Sequence, residues 1–389
     1  MKNWIIIPAI LMLTLVRLNS TAQRNEYILW TFETDDRIDC NPVVDESRIY
    51  FGSNDNQFYC IDAVTHEELW HYQTLYNVQS PPLIVGDILY FESGNCCFAL
   101  DKVTGAEIWV HLSNDPDGVD QLDPWDYHHA TPVSDDTIIY FGCGSGDLVG
   151  LDPENGSMKF LYRAIDSAAI RSTPVIEDEI LYFGDWNGRV YAYDLVGGDT
   201  IWSVRTYDTQ PYATFGMVNT SMVIHDSLLI FGARNPEIQV LNKYTGVPVW
   251  DYTVPGGGWI SGDPLVSGDT LYIGGSDCHK LFAFNVNTGE LFWDYSFLQN
   301  NFSRPLIFEE YIIFTTGNAY AYLETNYGQG YLYALHRDDG SIKNFSLIGG
   351  NIFTSPIIGG GEIYLSSEDK SFYSIDLSLF LDFNLNAEE

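Results

Sequence analysis

Basic side chains are scarce in this chain: 18 Lys and Arg stand against 53 Asp and Glu in 389 residues, a formal charge of −35. A surface of that sign repels nucleic acid and anionic membranes, so neither is an expected partner. Cysteine is sparse too, at positions 40, 60, 96, 97, 143 and 278. No Cys-x-x-Cys pair recurs with a second pair or with paired histidines, so no zinc site is expected, and disulfides are permitted rather than required. Beyond residue 22 no run approaches the roughly 18 apolar residues of a membrane-spanning helix. Gly-x-Ser-x-Gly, His-Glu-x-x-His and phosphate-binding loops are missing as well, which leaves hydrolase and kinase chemistry without support.

Apolar material, by contrast, is plentiful. Hydrophobic residues make up 46% and aromatics 15% while 18% are charged, a balance that favours a sizeable core over disorder. Lys2, the apolar run Trp4 to Val16 and the small residues Ser20-Thr21-Ala22 read as a secretory signal cleaved before Gln23. A periplasmic or secreted protein is therefore expected, with residues 23–389 as its one domain. The signal ends in Ala22-Gln23 and the first cysteine is Cys40, so no lipid anchor is expected.

Self-similarity dominates the rest. Eight segments open at Pro42, Pro82, Pro132, Pro174, Met222, Pro264, Pro305 and Pro356, spaced by 40 to 51 residues. Such a period marks propeller blades or solenoid units. Ten residues after each opening an alternating apolar run ends, as in Ile49-Tyr50-Phe51-Gly52 and Leu181-Tyr182-Phe183-Gly184, which predicts strands. About twenty residues after each opening stands Asp, Asn or His (Asp62, Asp101, Asp152, Asp194, Asn242, Asn285, His336, Asp376), usually with Gly four residues later. Four further on come Trp70, Trp109, Trp202, Trp250 and Trp293, with Phe160 and Asn344 in the same slot. Each unit reads as four strands. The eighth lacks its Trp strand, while Tyr27-Ile28-Leu29-Trp30 supplies one ahead of the first unit. The expected fold is thus all-β, an eight-bladed β-propeller of four-stranded antiparallel blades closed by the N-terminal strand, with no open sheet edge at the joint.

The pattern Ser172-Thr173-Pro174, Leu181-Tyr182-Phe183-Gly184, Val190-Tyr191-Ala192-Tyr193-Asp194, Gly198 and Trp202 resembles the pyrroloquinoline-quinone-like (PQQ-like) propeller repeat, and the resemblance spans essentially all of 23–389. That family takes in quinoprotein alcohol dehydrogenases and BamB-type outer-membrane assembly scaffolds, so it implies the fold more firmly than an activity. The dehydrogenases of the family need a calcium-binding carboxylate and amide, an aspartate base and a tryptophan platform. Trp186 and Trp259 are the platforms on offer, but no carboxylates match them, and PQQ is not expected. Cys96-Cys97 resembles the adjacent cysteines that cover the quinone in some members, yet in a strand their side chains should point to opposite faces.

Unit spacing locates a binding face. Insertions fall between Trp109 and Pro132, between Trp202 and Met222, and between Pro305 and His336. In a four-stranded blade these connections emerge on one rim, and loops often carry function. The residue three before each opening forms a ring on that rim: Asp39, Gln79, His129, Arg171, Asn219, Ser261, Phe302 and Phe353. Aliphatic residues precede most of them, suited to packing between blades. The ring is expected to line a solvated funnel, with His128, His129 and Arg171 as a patch for an anionic group. Trp125 is expected to anchor the first insertion to the rim, and Tyr320, Tyr322 and Tyr327 in the third suit a sugar. Asp115, Asp117, Asp120 and Asp123 offer calcium a carboxylate-rich loop bent at Gly118. The expected protein is a monomeric, exported, non-enzymatic scaffold that binds a protein or small ligand at the rim, with a part in cell-envelope assembly. A PQQ-dependent dehydrogenase and a carbohydrate-binding propeller are the alternatives.

Overall fold

The second and third strands of each unit are largely apolar through their middle residues, a pattern that a sheet covered on both faces buries. In the computed structural model, which describes residues 26–113, 129–206, 217–319 and 328–382, these strands are the middle pair of eight four-stranded antiparallel sheets. In the first blade Arg48–Ser53 and Gln57–Asp62 bury nearly every residue, whereas the outer strand Glu68–Gln73 alternates between exposed and half-buried positions. The sheets stand as blades around an axis, and a separate apolar cluster fills each of the eight seams between neighbours. Stacked rings bind the seams: Phe58 lies 4.3 Å from Phe91 between blades one and two, and Phe51 lies 4.5 Å from Phe372 between blades one and eight. Each such pair contributes about 0.5–1.5 kcal/mol beyond the area it buries.

The joint forms as expected. Ile28–Glu33 pairs antiparallel with Ser371–Asp376 and becomes the outer strand of blade eight. The backbone bonds Asp376 N–H to Tyr27 O (2.8 Å) and Thr34 N–H to Lys370 O (2.9 Å) continue the ladder at both ends.

The repeated tryptophans dock one blade on the next. Trp250 donates its indole N–H to Val286 O at 2.8 Å, and Trp109, Trp202 and Trp293 make the same bond to Pro153, Lys243 and Arg337. The ring then lies on the glycine of the receiving turn. At Gly289, with φ of 72°, a Cβ would come within 2.7 Å of Trp250, so both the conformation and the contact demand glycine. At the joint His66 takes the glycine slot at φ 61° and Trp30 stacks on its imidazole at 4.6 Å.

Two short elements among the described residues depart from the all-strand expectation, a 3-10 turn at Ile165–Ser167 and a helix at the C-terminal end. After Asp376 the chain makes a short helix, Leu377–Asp382, whose Leu379 N–H and Ser378 hydroxyl both donate to the Asp376 carboxylate at 2.9 Å. The turn aspartate of the repeat thus serves here as a helix cap. Asn344, in the Trp slot, donates to Phe380 O of this helix at 2.8 Å and so replaces the missing indole bond.

A candidate binding face at the channel mouth

Strand order puts the connection from each outer strand to the next inner strand, and the hairpin between the second and third strands, on one face. All three insertions attach there. The insertions themselves, with Asp115, Asp117, Asp120, Asp123, Trp125, His128, Tyr320, Tyr322 and Tyr327, lie outside the described residues.

Backbone bonds between blades build this face. The aliphatic residue four before each opening donates its N–H to the hairpin of the preceding blade: Val78 to Ser53 O (3.1 Å), Ile170 to Cys143 O (3.0 Å), Val218 to Asp185 O (3.1 Å) and Ile260 to Ala233 O (3.0 Å). Its side chain packs on a glycine of that blade, so tightly that a Cβ on Gly52 would sit 2.3 Å from Val78 and one on Gly184 would sit 2.4 Å from Val218. The expected packing role of these residues holds.

The ring one residue further on is not solvated as expected. Asp39, Gln79, Arg171, Asn219, Ser261, Phe302 and Phe353 are all buried, and His129 is half-buried. The hairpin tips close over them, and neighbours pair around the mouth. Asp39 Oδ2 accepts from Asn54 (2.8 Å), Gln79 (3.2 Å) and Arg37 Nε (2.9 Å). Arg37 also lies 3.7 Å from Glu368, whose other oxygen accepts from Asn351 at 2.7 Å. Burial, helped by the charge of Asp39, pushes the Glu368 carboxyl up to about 7. Arg171 lies 3.1 Å from His129 Nδ1; a guanidinium only donates, so that nitrogen accepts and the ring proton sits on Nε2. Phe302 and Phe353 meet edge to face at 5.1 Å. Asn219 and Ser261 differ from the other pairs. Both are buried, and Asn219 Oδ1 and Nδ2 and Ser261 Oγ have no hydrogen-bond partner.

Trp186 and Trp259 do come together, around a residue that the spacing argument missed. The guanidinium of fully buried Arg234 lies 4.6 Å from the Trp186 ring centre and 5.2 Å from that of Trp259. Arg234 stands twelve residues after Met222, and the same offset gives Asn54, Trp186, Ser276 and Glu368. A second ring at the hairpin tips was therefore readable from the spacing.

Both candidate platforms lie against the Arg234 guanidinium. Cys96 and Cys97 belong to the apolar clusters of two different seams, and all six cysteines are free thiols. Among the described residues no three His, Cys, Asp or Glu side chains gather to hold a metal ion.

The fold and the repeat together define an eight-bladed PQQ-like propeller. The family model described as outer membrane protein assembly factor BamB matches residues 17–211, half of the chain, and the chain belongs to that family. The structure of BamB from Moraxella catarrhalis superposes with a TM-score of 0.65 at 17% identity, covering 90% of this chain and 97% of that one. The quinohemoprotein alcohol dehydrogenase of Comamonas testosteroni gives a TM-score of 0.69 at 12% identity over 90% of this chain and 76% of that one. In sequence, the tetrathionate hydrolase of Acidithiobacillus ferrooxidans is 21% identical over 376 residues, 84% of this chain and 70% of that protein. At these identities the two structures speak for the fold alone.

Proposed function

We propose that this protein is an exported, non-enzymatic scaffold that takes a protein partner or ligand at the insertion-bearing mouth of its propeller, with a role in cell-envelope assembly. The observation that carries this reading is that all three insertions attach to the one face that also holds the polar ring of Asp39, Gln79, His129, Arg171, Asn219 and Ser261. Membership of the BamB family and the lack, among the described residues, of a helix long and apolar enough to cross a membrane support it.

A photo-crosslinking residue at exposed Asn187, on the hairpin beside Trp186, tests the face against one at exposed Val196 on the opposite side. In cells of the native host, a defined partner band is expected from position 187 and not from 196. Equal capture from both positions, or capture from 196 alone, overturns the assignment. Turnover of alcohols or sugars after addition of PQQ and calcium would instead favour the dehydrogenase reading.

A further inference from the structure

The face opposite the mouth repeats a second contact across the seams. At three seams the residue after the turn position reaches back to the last residue of the preceding blade's inner strand. Lys102 Nζ donates to Asp45 Oδ2 at 2.7 Å, Lys243 pairs with Glu177, and Arg337 donates to Ser267 Oγ at 3.2 Å. Asp45, Glu177 and Ser267 hold equivalent places, each opposite the first residue of the following strand. In other seams the position after the turn is apolar: Leu195 packs into the cluster between blades three and four, and Val286 and Leu377 are core residues of theirs.

The joint between blades eight and one keeps only a remnant of the apolar solution, a single methyl group that packs on the seam's cluster. Its turn residue is Ala63, and the place equivalent to Asp45 is Gly359, opposite Glu362. Both partners of the contact are thus cut back to almost nothing. A half-open hollow of about 270 Å³ lies there, lined by Val44, Ala63, exposed Val64 and Gly359, with the carboxylates of exposed Glu46 and of Glu362 at it. Glu362 is held in place by the Trp30 indole at 3.3 Å and by Ser374, and His66 Nε2 lies 3.7 Å away. The space therefore has the character of a lysine slot, with aliphatic side chains along it and one fixed acceptor, Glu362, but no lysine of its own.

We infer that this cavity binds a primary alkylammonium group, seated where Lys102 and Lys243 sit at the corresponding seams. The aliphatic stem would lie along Val44 and Val64, and the ammonium, which only donates, would meet the carboxylates. The chemistry is shared by a free diamine and by the lysine side chain of a polypeptide.

Calorimetric titration of the full chain at 0.15 M salt, with 1,5-diaminopentane as one probe and Nα-acetyl-lysine amide as the other, tests the inference. Saturable one-site binding is expected for wild type; the diamine alone binding marks a free amine as the ligand, and the lysine amide binding as well admits a polypeptide. Ala63→Lys should weaken the binding at least tenfold by filling the slot, and should melt at or above the wild-type temperature. Ala63→Leu should block by volume alone and serves if the lysine variant fails to fold. Absence of saturable binding to wild type overturns the inference. So does undiminished binding to a folded Ala63 variant, because the amine would then be following only the acidity of the whole surface.

Discussion

Glu368 offers a quantitative test of how the mouth is held at the joint. Its carboxyl shares one guanidinium with Asp39, from 3.7 Å against 2.9 Å, and is pushed from 4.5 up to about 7 by burial first and by Asp39 second. Because the folded-state value is raised, the folded protein holds more protons than the unfolded chain between pH 4.5 and 7. The stability that Glu368 contributes is therefore full below that window and is lost as pH rises through it. The shift corresponds to about 3 kcal/mol at most, at 1.36 kcal/mol per unit. Glu368→Gln keeps an oxygen for Asn351 and an uncharged group toward Arg37, so it escapes the loss. Urea unfolding of both proteins at pH 5, 6, 7 and 8 should show a difference that grows in the variant's favour by about 2–3 kcal/mol and then levels off, while titrations common to both cancel. A difference that stays flat, or a variant that weakens as pH rises, would refute the reasoning and make the Arg37 ion pair the stronger effect.

The docking contacts predict a graded series. Trp250→Ala should destabilise by about 3–5 kcal/mol in urea unfolding, since it removes a buried ring and its bond to Val286 O. Gly289→Ala should destabilise more than Gly198→Ala: both glycines have positive φ, but only at 289 does the new Cβ meet a tryptophan, whereas at 198 the nearest atom is 3.9 Å away. Equal losses at the two sites would show that conformation alone requires the glycine. Asp376→Ala should cost about 1 kcal/mol through loss of the helix cap, seen as a lower midpoint of thermal unfolding. Cys278, half-buried and pushed up to about 11, should be alkylated before the five buried thiols, and Cys40, pushed up to about 12, should react only on unfolding. Mass spectrometry after timed alkylation reads that order.

The periodic openings, turn aspartates and tryptophans were legible because each answers a requirement that recurs in every blade, so eight copies reinforce one another. Asp376 shows the limit of that logic. The same carboxylate geometry that caps Val64 and Thr65 N–H in the turn after Asp62 caps a helix after Asp376, and only the residues downstream decide between turn and helix. The burial of the ring residues was hidden for another reason. A residue three before an opening has no sequence mark for its cover, which comes from hairpin tips twelve residues after an opening, in its own blade or the next. Asn54 on Asp39 is such a contact, whereas Trp186 beside Arg234 joins two tips to each other.

The functional information of a propeller therefore lies in the departures from its repeat rather than in the repeat. Each departure has to be read with its neighbour across the seam: Ala63 or Gly359 alone is an ordinary small residue, and only their apposition opens a cavity where other seams place an ion pair or a packed side chain. Asn219 and Ser261 obey the same rule. Either could be a satisfied polar residue in isolation, but they stand in adjacent blades at equivalent positions with their polar atoms unmatched, while the other three neighbouring pairs of the ring are matched to each other. Selection for folding alone would favour filling such places, since a buried unpaired amide and hydroxyl oppose folding by about 1–3 kcal/mol each. The crosslinking and titration experiments address the two faces of the propeller separately.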